Sequence, residues 1–252
     1  MNFLYLLIIV FVVGLFLYWQ FIIAEGAYFG ARLVALLYDW TAERYNSLKE
    51  FEDKFEDEAI GEPLANRLYQ QPTATVLDVA TGTGRVPLIL FRLSSYQGKV
   101  IGLDRASKML AIARRDTAAY HNRITFIQAD AMALPFVSNC LPMVTCLEAL
   151  EFLPHPEKGL HELVRVLAAS SPKTPDHGWL MTSNRIGWEA RLMPGKTWRR
   201  EQLVAILNRL PLRYIDILPW ETIYDMLFCQ KTITTYLAVL KCNDVWNTND
   251  TK

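Results

Sequence analysis

The stretch Val76-Leu77-Asp78-Val79-Ala80-Thr81-Gly82-Thr83-Gly84-Arg85 narrows the fold more than any other part of the chain. β-Formers and one Asp lead into two glycines one residue apart, after which Val86, Leu88, Ile89, Leu90 and Leu93 supply an apolar helical face. A strand that turns on glycine straight into a helix begins a strand–helix–strand unit, and such units build parallel sheets. The glycines let backbone N–H groups come close to an anion at the helix N-terminus, where the macrodipole favours negative charge. A nucleotide-like ligand is the expectation for this turn.

A dinucleotide fingerprint needs a small residue three places after the second glycine, and that place holds Pro87. Proline suits a first helical turn, whose N–H groups lack intrahelical partners, so Pro87 also sets the helix start near Gly84 or Arg85. Lys99-Val100-Ile101-Gly102-Leu103-Asp104 reads as a second strand. It ends in a carboxylate about twenty residues past the glycines, the spacing at which an acid meets a ribose diol. Ser107 is expected to cap the next helix, whose apolar side is Met109, Leu110, Ile112 and Ala113. A third strand, Ile124 to Ala129, runs into Asp130, a carboxylate placed for the exocyclic amine of adenine. Any one acid would serve as a loop cap, but acids at successive strand ends describe a binding edge.

Further strands are expected at Met143 to Leu147 and Gly178 to Ser183, with helices from Pro156 to Leu167 and Arg199 to Leu210. Tyr214 to Leu218 and Tyr224 to Gln230 are close enough to pair as an antiparallel hairpin through Pro219-Trp220-Glu221-Thr222. The fold class is therefore α/β, with a Rossmann-like, seven-stranded, mostly parallel sheet and an antiparallel terminal hairpin. Ligands of such sheets bind beyond the carboxyl ends of the strands, where Gly82, Asp104, Asp130 and Glu148 fall.

Four segments together resemble the class I S-adenosylmethionine-dependent methyltransferases, in particular their ubiquinone/menaquinone C-methyltransferase-like branch. They are Asp78 to Gly84, the strand-end Asp104, Asp130-Ala131-Met132-Ala133-Leu134-Pro135-Phe136, and Glu148-Ala149-Leu150-Glu151-Phe152 followed by Glu162 to Leu167. The third is the most specific. Upstream, Tyr38-Asp39-Trp40-Thr41-Ala42-Glu43-Arg44-Tyr45-Asn46 is similar to the helical lid motif of these enzymes. The resemblance runs from Tyr38 to Thr232 and departs in three places. Ala80 stands where the family has its first glycine, Leu141-Pro142 replaces a Phe-Asp pair, and Ala168 to His177 replaces a short glycine turn. It implies S-adenosylmethionine as cofactor, held by Tyr45, Asp78, Ala80, Thr81, Gly82, Gly84, Asp104, Arg105, Asp130, Ala131 and Leu147.

The N-terminus adds a second constraint. Met1 to Ala24 has no charged side chain, and Phe3 to Leu17 is almost wholly Leu, Ile, Val, Phe and Tyr. About twenty such residues span a bilayer core, and a signal peptide would carry a basic leader and a shorter apolar run. A single transmembrane helix is expected, with Tyr18 and Trp19 at the interfacial level. Arg32, Arg44 and Lys49 on its C-terminal side favour a cytoplasmic domain, as does the cytosolic supply of the implied cofactor. Cys140, Cys146, Cys229 and Cys242 form no C-x-x-C pair or disulfide framework, in keeping with a reducing compartment. The organisation expected is 1–24 anchor, 25–71 juxtamembrane and lid helices, 72–232 methyltransferase domain and 233–252 a polar, fraying tail. Within the second segment, the acidic run Glu50 to Glu58 reads as a solvated face.

The chain has 26 basic and 26 acidic side chains, so it carries no electrostatic footprint for nucleic acid. His121, His161 and His177 lack companions at ligand spacing, so no metal is expected. Transfer of a methyl from a sulfonium releases a neutral thioether, and positioning with exclusion of water supplies much of the rate. A base is needed only where the acceptor must lose a proton; Glu148, Glu151, His155, Tyr38 and Tyr45 are the candidates. Placement at a membrane points to a small lipophilic acceptor, quinone- or lipid-like. The competing expectation is a membrane-tethered assembly or interaction protein that keeps the fold without turnover.

Overall fold

All four residues of β1 (Val76–Val79) are buried, as befits an interior strand of a sheet covered on both faces. The computed structural model describes residues 2–49, 53–170 and 177–232. Around β1 lie β2 (Val100–Asp104), β3 (Ile124–Gln128), β4 (Met143–Cys146), β5 (Trp179–Arg185), β6 (Leu212–Trp220) and β7 (Tyr224–Lys231), in the order β3-β2-β1-β4-β5-β7-β6. The first five are parallel, and β7 inserts antiparallel between β5 and β6. The expected seven-stranded architecture is thus present, and the order of strands reverses at β1, between β2 and β4.

Side chains alternate between two layers. Leu77, Val144, Leu180 and Leu227 face one side, packing with Leu160 and Leu163 of α7 (Pro156–Val166) and Leu203 and Leu207 of α9 (Arg200–Leu207). Val76, Met143, Met181 and Phe228 face the other, packing with Leu64 of α4 (Glu62–Leu68) and Ile89 and Leu90 of α5 (Arg85–Arg92). Adjacent residues on opposite faces are the period-2 signature that makes both layers possible at once.

Some boundaries differ from expectation. The hairpin turn is Glu221–Ile223, because Trp220 still pairs with Tyr224 and their rings lie 5.8 Å apart. Pro219 is tolerated inside β6 because that strand is at the sheet edge. Ser107 does not cap α6 (Ser107–Asp116); it is the first helical residue, after Ala106. The cap comes instead from Asp39 on α2 (Ala31–Lys49), whose carboxylate accepts the Lys108 N–H at 2.7 Å and the Ser107 hydroxyl at 3.4 Å. A carboxylate supplied by tertiary structure has displaced the local hydroxyl. The expected tail, 233–252, and Cys242 with it, lie outside the described residues.

Helix α1 (Asn2–Tyr18) continues through a π turn, Trp19–Ile23. Phe3–Ile23 is the one helical stretch among the described residues that is long and apolar enough to cross a membrane. Its large side chains from Phe3 to Tyr18 are exposed, and only its C-terminal end meets the α/β domain. There Ile23, Ala24 and Ala27 pack on Phe152 and Met193, while the Trp19 indole N–H donates to the Leu192 carbonyl at 2.8 Å. Arg185 reaches the Ile23 carbonyl at 3.3 Å, and the Tyr28 hydroxyl donates to the Pro194 carbonyl at 2.9 Å. The segment after α8 (Gly187–Arg191) is therefore the seat of the N-terminal helix.

Candidate active site

A cavity open to solvent at its mouth lies over the carboxyl ends of β1 to β4. This is the crevice where an open α/β sheet binds ligands, since the helices diverge where the strand order reverses. The turn after β1 contributes Ala80 and Gly82, the end of β2 Leu103 and Asp104, the loop after β3 Ala129, Asp130 and Ala131, and the turn after β4 Leu147 and Glu148. Helix α2 closes the other side with Ala31, Val34, Ala35, Tyr38 and Tyr45. A smaller cavity adjoins it, lined by Asp78, Thr81, Thr83 and Arg85 as well as Tyr45, Gly82 and Glu148.

The glycine turn is held from the second strand. The Gly82 N–H donates to Asp104 Oδ2 and the Ala106 N–H to Asp104 Oδ1, each at 2.8 Å. Burial pushes the Asp104 carboxyl up, while these N–H groups oppose the shift by stabilising the anion. Two N–H bonds leave lone pairs of a carboxylate available to further donors. Gly82 has φ +54, and a Cβ built on it meets nothing within 4 Å, so the space above its backbone is open to a ligand. Gly84 differs. It has φ +89 as the N-cap of α5, and its N–H is taken by the Thr81 carbonyl. A Cβ there would lie 3.3 Å from that of Ala113, so Gly84 serves the packing of α5 on α6 and is not in the cavity wall.

Arg105 and Asp130, both expected to face the cofactor, line the cavity and pair with each other; Asp130 also accepts the Met132 N–H at 2.9 Å. Asp78 lies beneath the turn and accepts the Thr145 hydroxyl at 2.6 Å. Burial raises its pKa to about 6, with the Thr145 and Thr81 hydroxyls working the other way.

Among the base candidates, Glu148 has φ +49, its N–H donates to Ser183 Oγ at 2.6 Å, and its carboxylate is paired with Arg85. Arg85 also binds Glu56 through two guanidinium nitrogens. Burial works against the Arg85 charge, and the two carboxylates overcome it. Glu56 was expected on a solvated acidic face; it is 4% exposed because Arg85 draws it in. Glu151 lies below the cavity wall, with the Tyr224 hydroxyl donating to its Oε1 at 2.7 Å. His155 is exposed at the N-cap position of α7 without a side-chain capping bond. Tyr38 does face the cavity and donates its hydroxyl to Glu25 at 2.7 Å.

The sequence did not single out Glu25, Val34 or Leu153, placed Glu56 in a solvated acidic run, and held Asp39 and Phe152 in motifs without the roles they play here. Each acquires its role through a chain return that no local pattern encodes. Among the described residues no group of His, Cys, Asp or Glu is arranged to hold a metal ion.

Residues 76–170 match the methyltransferase domain family. The demethylmenaquinone methyltransferase of Thermus thermophilus is 43% identical over 93 residues, 37% of this chain and 42% of that protein. The chain spans about half the length, or less, of the curated relatives it matches. The [4+2]-cyclase SpnF has a similar structure, with a TM-score of 0.62 and 18% identity over 81% of this chain and 97% of that one. So has the methyltransferase CalH in complex with SAH, with a TM-score of 0.55 and 17% identity over 71% and 59%. The lid motif and the terminal strands lie outside the matched family range.

Proposed function

We propose that this chain, which carries a methyltransferase domain at residues 76–170, is a membrane-anchored S-adenosylmethionine-dependent methyltransferase acting on a small lipophilic acceptor. The observation that carries the reading is the cavity itself. One wall presents the Gly82 turn and Asp104, and the opposite wall is Ala31, Val34, Ala35, Tyr38 and Tyr45 of α2, a helix joined by a seven-residue link, 24–30, to the bilayer-length segment Phe3–Ile23.

The residues present fit the cofactor. Open space above Gly82, a strand-end Asp104 with spare lone pairs and the ion-paired edge at Arg105 and Asp130 match a ribose and a purine. Asp78, Thr81 and Arg85 surround the smaller cavity, where polar ligand atoms find partners. Bound S-adenosylmethionine supplies an electrophilic methyl group. The chain's own part is to orient the acceptor and exclude water, and Ala31, Val34, Ala35, Phe152 and Leu153 provide the dry surface for it.

The quinone methyltransferase relatives support a quinone- or lipid-like acceptor. Phe3–Ile23 supports the anchor, and the basic residues after it support a cytoplasmic domain. The test is to incubate the purified full chain with methyl-labelled S-adenosylmethionine and a membrane lipid extract. Label in a lipid fraction is expected; cofactor binding without label in any fraction would favour the tethered, non-catalytic reading.

A further inference from the structure

Tyr38 and Glu25 meet where the link after the N-terminal helix and α2 close the cavity. The rest of that end is apolar, walled by Ala31, Val34, Ala35, Phe152 and Leu153. The Tyr38 ring lines the cavity, and its hydroxyl donates to Glu25 Oε2 at 2.7 Å. Glu25 is held there at some cost: its φ is +45, in the left-handed region that disfavours a branched-off side chain by about 1 kcal/mol or more. Backbone bonds from Gly26 to the Gln20 carbonyl and from Ala27 to the Ala24 carbonyl fix this turn. Strain maintained beside a cavity is a mark of a working position. Of the other base candidates, Glu148 pairs with Arg85, Glu151 accepts from Tyr224 and does not line the cavity, and His155 lies on the outer surface.

We propose that Tyr38 and Glu25 form a proton relay that deprotonates the acceptor. An acceptor O–H bond breaks with its electron pair left on the acceptor oxygen. That proton bonds to Tyr38 Oη, while the proton of Tyr38 passes to Glu25 Oε2. One negative charge thus moves from Glu25 to the acceptor, and no other reactant is consumed. Tyr38 is the group that touches the acceptor; Glu25 acts through it. The relay rests on the methyl-transfer reading above.

The groups facing Tyr38 are Glu25 from the link, Tyr45 from α2 and Tyr224 from β7, with Glu151 and Arg185 behind Tyr224. Phe152 meets the Tyr38 ring edge-on at 6.2 Å. Burial first, then Glu25 and Tyr45, keep the phenol protonated, so Tyr38 passes a proton on without standing as tyrosinate.

The test uses the full chain in lipid nanodiscs, with a short-chain demethylmenaquinol as acceptor probe. Glu25→Gln keeps the size of the side chain and an oxygen to accept from Tyr38, but takes no proton. Cofactor affinity by calorimetry is expected to be unchanged. The turnover number at neutral pH is expected to fall about a hundredfold, with the deficit shrinking as pH rises and the acceptor ionises unaided. Tyr38→Phe should behave alike. Ultraviolet difference titration against Tyr38→Phe, with no cofactor present, should show Tyr38 ionising at lower pH once Glu25 is Gln. An unchanged turnover number, a deficit constant across pH, or an unmoved Tyr38 titration would overturn the relay. Failure of the underlying reading has a different signature: a wild type that neither binds S-adenosylmethionine nor methylates the probe.

Discussion

Glu151 is 1% exposed, with one carboxylate oxygen bonded to Tyr224 and the other, Oε2, buried without a hydrogen-bond partner. Burial raises its pKa to about 7, against the pull of the Tyr224 hydroxyl. The folded protein therefore holds a proton that the unfolded chain releases near pH ~4.3. For an acid raised on folding, stability is greatest below the unfolded value and declines as pH climbs to the folded one. Urea melts of wild type are expected to lose up to about 3 kcal/mol from this group between those limits and to level off above. Glu151→Gln should flatten most of that slope, leaving the smaller contribution of Asp78 in the same sense. Asp104→Ala strips acceptors from the Gly82 and Ala106 N–H groups, which is expected to cost about 1–3 kcal/mol of stability. Its affinity for S-adenosylmethionine by calorimetry should fall by about tenfold or more. Gly82, Asp104 and Asp130 were legible in the sequence because strand ends in a parallel sheet recur at regular intervals and deliver their acids to one edge. Glu56 was not, since nothing in its acidic neighbourhood announces Arg85, 29 residues on.

At the level of elements, the Arg85 ion pairs join four pieces of the fold: α5, the helix α3 (Asp53–Glu56) before the sheet, the turn after β4 and, through Glu221 at 3.6 Å, the turn between β6 and β7. Removing the cation leaves two nearly buried carboxylates facing each other. Arg85→Leu is expected to destabilise by about 3–5 kcal/mol in urea, and Glu56→Gln by less, because Arg85 keeps Glu148. Asp39 performs a similar joining task between α2 and α6. Asp39→Ala should cost about 1 kcal/mol as a lost cap and loosen the cavity roof, seen as faster hydrogen exchange at Lys108. Periodicity located α6 but not its cap, since capping preferences are local and this cap arrives from 69 residues away. The terminal hairpin shows the same division. Its pairing was legible from two β-rich runs, while the turn was misplaced because the Trp220 and Tyr224 contact extends the ladder past Pro219.

At the scale of the whole molecule, the proposed anchor predicts that the chain sediments with membranes and resists alkaline extraction. Replacing Phe11 and Val12 by Asp puts two charges at the helix centre, each costing about 3 kcal/mol of insertion, and should release the protein to the soluble fraction. The seat of Trp19, Ile23 and Tyr28 on the 185–196 segment has a further consequence. A long flexible tether would let the domain sweep a hemisphere and address acceptors in solution or in a neighbouring vesicle. If Phe3–Ile23 is the anchor proposed above, its contacts at the domain rim would fix the height and tilt of the cavity above its own leaflet. Collisions would then occur by diffusion in two dimensions, and the rate is expected to follow acceptor per lipid area and not acceptor per volume. Acceptor loaded into separate vesicles should stay unmethylated until the vesicles are fused.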